Sequence, residues 1–80
     1  MASTPSPSIR LFHAQGCHLC DRAREVLDRV GVPYESVDIT GVAELEERYR
    51  EWLPVVEIDG ARAFVYYVDE AALRRKVSRT

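Results

Sequence analysis

The chain has 80 residues, 46% hydrophobic and 30% charged, the balance of one small globular domain with a modest core. That length excludes separate catalytic and regulatory domains, and any fold that needs roughly 250 residues. Eleven Lys and Arg against 13 Asp and Glu leave a formal net charge of −2, which gives no electrostatic ground for nucleic-acid binding. No apolar run approaches the roughly 18 residues of a membrane span.

Residues 1–8, Met1-Ala-Ser-Thr-Pro-Ser-Pro-Ser8, have neither a basic start nor an apolar stretch, so they do not read as a secretory signal. Rich in Pro and Ser, they are expected to form a flexible tail ahead of a single domain over residues 9–80, in the cytoplasm. Ile9–His13 is a short run of β-formers and predicts the first strand. Gln15-Gly16 breaks it, and a helix is predicted from about His18 to Val30. Leu19, Ala23, Val26, Leu27 and Val30 recur at helical spacing, with charges on the other face. Gly31 suits its C-cap, and Pro33 lies just beyond.

Tyr34–Ile39 reads as the second strand. Thr40-Gly41 turns into a second helix over about Val42–Arg50, with Val42, Leu45 and Tyr49 on its buried side. Leu53-Pro54 interrupts, and Val55–Ile58 is the third strand. Asp59-Gly60 is a two-residue hairpin turn of the kind that needs positive φ at both positions. Ala61–Tyr67 is the fourth strand, antiparallel to the third. A last helix starts at Val68-Asp69-Glu70, with Asp69 as N-cap and Ala72, Leu73 and Val77 inward. The order β-α-β-α-β-β-α, with a right-handed crossover between the first two strands, predicts an α/β domain. It is a four-stranded mixed sheet with helices on both faces.

The two cysteines, Cys17 and Cys20, are three apart. A disulfide between them closes a tiny loop and constrains the unfolded chain very little, so the pair points to reactivity or to a metal. Its place matters more than its spacing. The segment Gly16-Cys17-His18-Leu19-Cys20 opens a helix, where unpaired N–H groups and the helix dipole stabilise a thiolate. Thiolates attack disulfides, and Cys17, at the very start, is read as the nucleophile. Cys20, one turn further in beside Ala23 and Leu27, is read as the more buried resolving thiol. A protonated His18 favours the Cys17 thiolate, and a neutral one shuttles a proton; the bland alternative is a solvated histidine. Asp21 and Arg24 continue the Cys17 face as ordinary surface charges. Trp52 and Tyr66 either wall a groove or complete the core, and the core reading is preferred. His13 is read as a strand-end residue. From the residues alone, Pro54 is a trans proline that starts a strand.

The strand, the Cys-x-x-Cys at a helix start, and the proline-led hairpin resemble the thioredoxin fold in minimal form. Gly16 to Asp21 and Leu53-Pro54-Val55 to Asp59-Gly60 are similar to segments of the small bacterial glutaredoxin-like proteins, and the likeness runs over about residues 9 to 78. It implies a thiol–disulfide oxidoreductase with a redox-active Cys17–Cys20 disulfide and a cis Pro54 packed beside it. It also implies a substrate surface made of His18, Leu19, Leu53 and Pro54. Arg50 matches a polar residue that meets a glutathione carboxylate, and Asp69 an acid at the last helix start. Glutaredoxins carry Pro-Tyr between the cysteines and a Gly-Gly pair before the last helix; here those are His18-Leu19 and Tyr66-Tyr67. No bound cofactor is implied. The expected partners are a disulfide-bearing protein or a glutathione mixed disulfide, with glutathione or a thioredoxin reductase as electron donor. Nucleic acid and membrane are not expected, and the chain is expected to be a monomer. The competing reading is a metal-binding module in which Cys17, Cys20 and His13 or His18 hold zinc, copper(I) or, shared between copies, an iron–sulfur cluster. A non-catalytic adaptor that kept the fold is a third.

Overall fold

A computed structural model describes residues 7–78. It comprises β1 (Ile9–His13), α1 (His18–Val30), β2 (Glu35–Asp38), α2 (Ala43–Tyr49), a 3-10 turn (Arg50–Trp52), β3 (Val55–Ile58), β4 (Ala61–Val65) and α3 (Glu70–Val77). The strands form one sheet in the order β2-β1-β3-β4. β1 runs parallel to β2 and antiparallel to β3, and β4 is antiparallel to β3. This is the predicted order and the predicted mixed sheet. Of the expected tail, residues 1–6 lie outside the described residues. Ser8 is fastened to the β3–β4 turn, its N–H donating to Asp59 Oδ1 at 2.9 Å and its carbonyl accepting from Asp59 N–H at 2.7 Å.

Successive strand residues face opposite sides, and this divides the core in two. Ile9, Leu11, Val56 and Ile58 face Ala23 and Leu27 of α1 and Leu73 of α3, with Val68 beside them. Phe12 and Val55 face the other way, against Ile39 and Tyr49 of α2. Phe12 and Tyr49 stack with ring centroids 4.0 Å apart. The Tyr49 hydroxyl donates to Glu57 Oε2 at 2.8 Å, which satisfies the polar tip of a buried ring. Asp59 and Gly60 have φ of 54° and 83°, the geometry that matches a turn to the twist of its two strands.

Three expectations are corrected at element ends. Val42 is the N-cap of α2 and is exposed, because the helix begins one residue later than predicted. Leu19 is also exposed; the buried stripe of α1 is Cys20, Ala23 and Leu27. β4 stops at Val65 rather than Tyr67, because Tyr66 turns to φ 67° and leaves the ladder.

Leu27 is fully buried between α1 and the sheet. Leu27→Ala should therefore lower unfolding stability by about 2–5 kcal/mol, read as a lower urea midpoint with an unchanged slope.

Candidate functional site

The site begins where β1 ends. The loop Ala14-Gln15-Gly16 is pinned by Gln15 N–H to Thr40 Oγ1 at 3.2 Å. Gly16 has φ 76°, a conformation open to glycine that reverses the chain into α1. Cys17 is the N-cap of α1, with extended backbone. Its Sγ accepts the Cys20 backbone N–H at 3.2 Å, so a sulfur stands where a cap oxygen usually does. Cys17 is half-buried and Cys20 is 1% exposed. Both are free thiols. The Cys20 thiol is pushed up to about 12, first by burial and then by its hydrogen bond to Cys17; Cys17 and Asp21 charge act the same way, and the Ala14 N–H opposes them. At neutral pH Cys20 therefore stays a protonated thiol beneath Cys17. His18 and Leu19 are exposed on the first turn above the pair.

Pro54 borders the same end of the sheet. Phe12 pairs with Val55, so the residue before Val55 lies beside the end of β1, from which the Cys17 loop departs. Pro54 is buried, and the Leu53–Pro54 peptide is cis. The Tyr66 N–H donates to Pro54 O at 3.0 Å and Trp52 O at 3.3 Å. This ties the residues flanking Leu53 to the end of β4. Leu53 itself is half-buried.

The core reading of Trp52 and Tyr66 is corrected. They are 39% and 47% exposed, with ring centroids 6.0 Å apart. The Arg62 guanidinium sits 5.7 Å from the Trp52 ring. Tyr67, which sequence reasoning did not single out as a side chain, is the most exposed large hydrophobic among the described residues. Leu19, Tyr66 and Tyr67 line one groove of about 250 Å³ between α1 and the β4–α3 connection, with Arg22, Val26 and Val68. The adjacent pair Tyr66-Tyr67, which the sequence reading placed within the fourth strand, was the signal for it.

Arg50 and Asp69 are engaged elsewhere. Arg50 Nη1 bonds Glu46 Oε1 at 2.8 Å, and Asp69 Oδ1 accepts the Ala71 N–H at 3.2 Å as the cap of α3. His13 Nε2 is 2.7 Å from Ser36 Oγ. Burial, then the Arg24 cation, hold the imidazole below its ordinary pKa against Asp38 and Asp21, so it is neutral at pH 7. Arg24 is not an ordinary surface charge. It is half-buried, and its Nε is buried with no hydrogen-bond partner. Cys17 and Cys20 offer two sulfur ligands to a metal; among the described residues no group of three His, Cys, Asp or Glu comes together. No helix among them is long and apolar enough to cross a membrane.

Residues 8–78 match the profile of the glutaredoxin-like domain. An uncharacterized protein of Mycobacterium tuberculosis is 30% identical over 83 residues, spanning 92% of this chain and 86% of that protein. The X-ray structure of a structural-genomics target from X. campestris is 31% identical, with TM-score 0.76 over 86% of this chain and 93% of that one. A buckwheat glutaredoxin–glutathione complex shares the fold at 18% identity, with TM-score 0.62 over 88% of this chain and 69% of that one.

The thiol environments predict selective alkylation. At pH 8 iodoacetamide should modify Cys17 in the folded protein and reach Cys20 only after unfolding. Cys17→Ser should likewise leave Cys20 unmodified at pH 8 while the protein is folded, because burial, the largest cause of its raised pKa, remains.

Proposed function

The chain belongs to the glutaredoxin-like domain family, and from that premise we propose that it is a thiol–disulfide oxidoreductase working through Cys17 and Cys20. The observation that carries the reading is the Cys20 amide aimed at Cys17 Sγ at 3.2 Å, at a helix start and directly over a buried second thiol. Such a setting suits a sulfur that is negative when it attacks.

Cys17 Sγ attacks one sulfur of a substrate disulfide, and the other sulfur leaves as a thiolate that takes up a proton. Cys20 then gives up its proton and displaces the bound sulfur from Cys17. The substrate gains two electrons and two protons, and the Cys17–Cys20 disulfide forms. A thiol reductant, glutathione or a thioredoxin reductase, returns the electrons. The high pKa of Cys20 keeps the second sulfur from competing for the first attack. Once Cys17 is in a mixed disulfide, its hydrogen bond to the Cys20 thiol no longer holds that proton in place. His18, exposed on the first turn, is placed to exchange protons with solvent. The substrate is a disulfide-bearing protein or a glutathione mixed disulfide, and the reducing cytoplasm is the compartment in which this cycle runs. The enzyme works as a monomer.

Cys20→Ser should accumulate a mixed disulfide whose substrate mass maps to Cys17, and Cys17→Ser should reduce turnover to background. An adduct that forms on Cys20 in Cys17→Ser, at the rate seen for Cys17, would reverse the two roles. Stoichiometric zinc or copper in protein purified under reducing conditions would replace this reading with metal binding.

A further inference from the structure

Cys20 has to carry negative charge to displace a sulfur, and its surroundings mostly oppose that. It is buried, so water does not solvate the charge, and the Asp21 carboxylate repels it. Among the described residues that act on its sulfur, Ala14 is the one that favours the thiolate, through its N–H. An amide bonded to an ionised acceptor is worth more than one bonded to a neutral acceptor, and a buried charge without a partner is costly. The position of that one amide therefore bears on the second half of the exchange cycle.

The residues on either side of Ala14 are both tied to the end of β2. His13 O accepts the Ile39 N–H at 2.9 Å, and the Gln15 N–H donates to Thr40 Oγ1 at 3.2 Å. The Ala14 side chain packs against the cluster that holds Phe12 and Ile39. Thr40 is itself fixed. Its N–H donates to Asp38 Oδ1 at 2.9 Å, and its hydroxyl donates to the same carboxylate. The hydroxyl thus donates one way and accepts the other, and each bond polarises the next. The His13–Ile39 bond is a backbone bond that any residue at position 39 except proline would supply, whereas the Gln15–Thr40 bond depends on a side chain. Thr40 is exposed, so its hydroxyl does not serve the core; it meets the loop that leads from Ala14 to Cys17.

We propose that Thr40 is a positioning residue for the resolving step, holding the Ala14 amide on the Cys20 sulfur through its bond to Gln15. The inference rests on the exchange reading above and concerns only the second of its two displacements. In that displacement Cys20 releases its proton to solvent, its sulfur bonds Cys17 Sγ, and the bond from Cys17 to the substrate sulfur breaks. The substrate sulfur leaves with the electron pair and takes up a proton. The Ala14 N–H meets the negative charge while it sits on Cys20. The first attack uses a sulfur capped by the Cys20 amide within α1 itself, so it does not draw on Thr40.

The test uses Thr40→Val, which keeps the shape of the side chain and removes the hydroxyl. Reduced protein is mixed in stopped flow with one equivalent of a symmetric nitrobenzoate disulfide, whose halves are coloured once released. The first release reports attack by Cys17, and the second reports resolution by Cys20. Thr40→Val should slow the second release about tenfold at pH 7 and leave the first unchanged. Thr40→Ser, which keeps the hydroxyl, should restore the wild-type rate. The equilibrium of the Cys17–Cys20 pair against glutathione should not move, because Cys20 is neutral both as thiol and as disulfide. Amide exchange at Ala14, followed by NMR, should quicken in Thr40→Val and not in Thr40→Ser, which reads the tether whether or not the protein exchanges disulfides. If circular dichroism shows Thr40→Val unfolded, Thr40→Ala carries the comparison. A second release as fast as in the wild type, equal slowing of both releases, or no rescue by serine would overturn the positioning role and leave the exchange reading standing. A wild type that gives no second release would remove both.

Discussion

The rotation of α1 about its own axis governs everything at the thiol end. Cys20, Ala23 and Leu27 are spaced three and four apart and all face the sheet, which sets the helix in one orientation. A residue three positions before Cys20 then lies near the same side but one turn earlier, beyond the covered part of the helix. Cys17 is therefore at the rim because Cys20 is in the core. One packing decision produces an accessible sulfur and a buried one, and burial alone is the largest cause of the raised Cys20 pKa. Their chemical difference is thus a consequence of the fold rather than of the two residues between them.

The second half of the site is held by bonds between segments distant in sequence. β3 lies antiparallel to β1, so its proline-led start adjoins the loop that carries Cys17. The 3-10 turn at Arg50–Trp52 brings Trp52 to this end. One amide, that of Tyr66, accounts for the carbonyls on both sides of Leu53. That amide continues the β3–β4 pairing, in which Val55 lies opposite Val65, one residue past the end of β4. Surface ion pairs such as Arg29–Glu70 and Arg74–Glu70 add little to this arrangement, since exposed pairs contribute on the order of 0–1 kcal/mol.

Legibility in the sequence followed the range of the interactions involved. The strands, helices and the Asp59-Gly60 turn were readable because side-chain periodicity and turn chemistry act over a few residues. Cys17 as helix opener and Cys20 within the buried stripe were readable for the same reason. Val42 and Leu19 were misplaced because helical spacing alone does not tell which apolar residues at a helix start are covered by the rest of the fold. Arg24 was misplaced because helix spacing does not reveal that its side chain is half-buried, near His13 and Tyr34. Trp52 and Tyr66 were assigned to the core because large aromatics usually bury, and their exposure depends on a 3-10 turn and a left-handed backbone that no local pattern announces.

By itself the sequence determined the order of elements, the mixed sheet and the place of two thiols at a helix start, since each follows from local spacing and from which faces must be buried. Only the tertiary structure decided that the start of β3 meets the Cys17 loop and that three aromatic rings stand out of the core. Those outcomes depend on register and on hydrogen bonds between residues as far apart as Trp52 and Tyr66 or Gln15 and Thr40, and such pairings exist only once the chain has closed on itself.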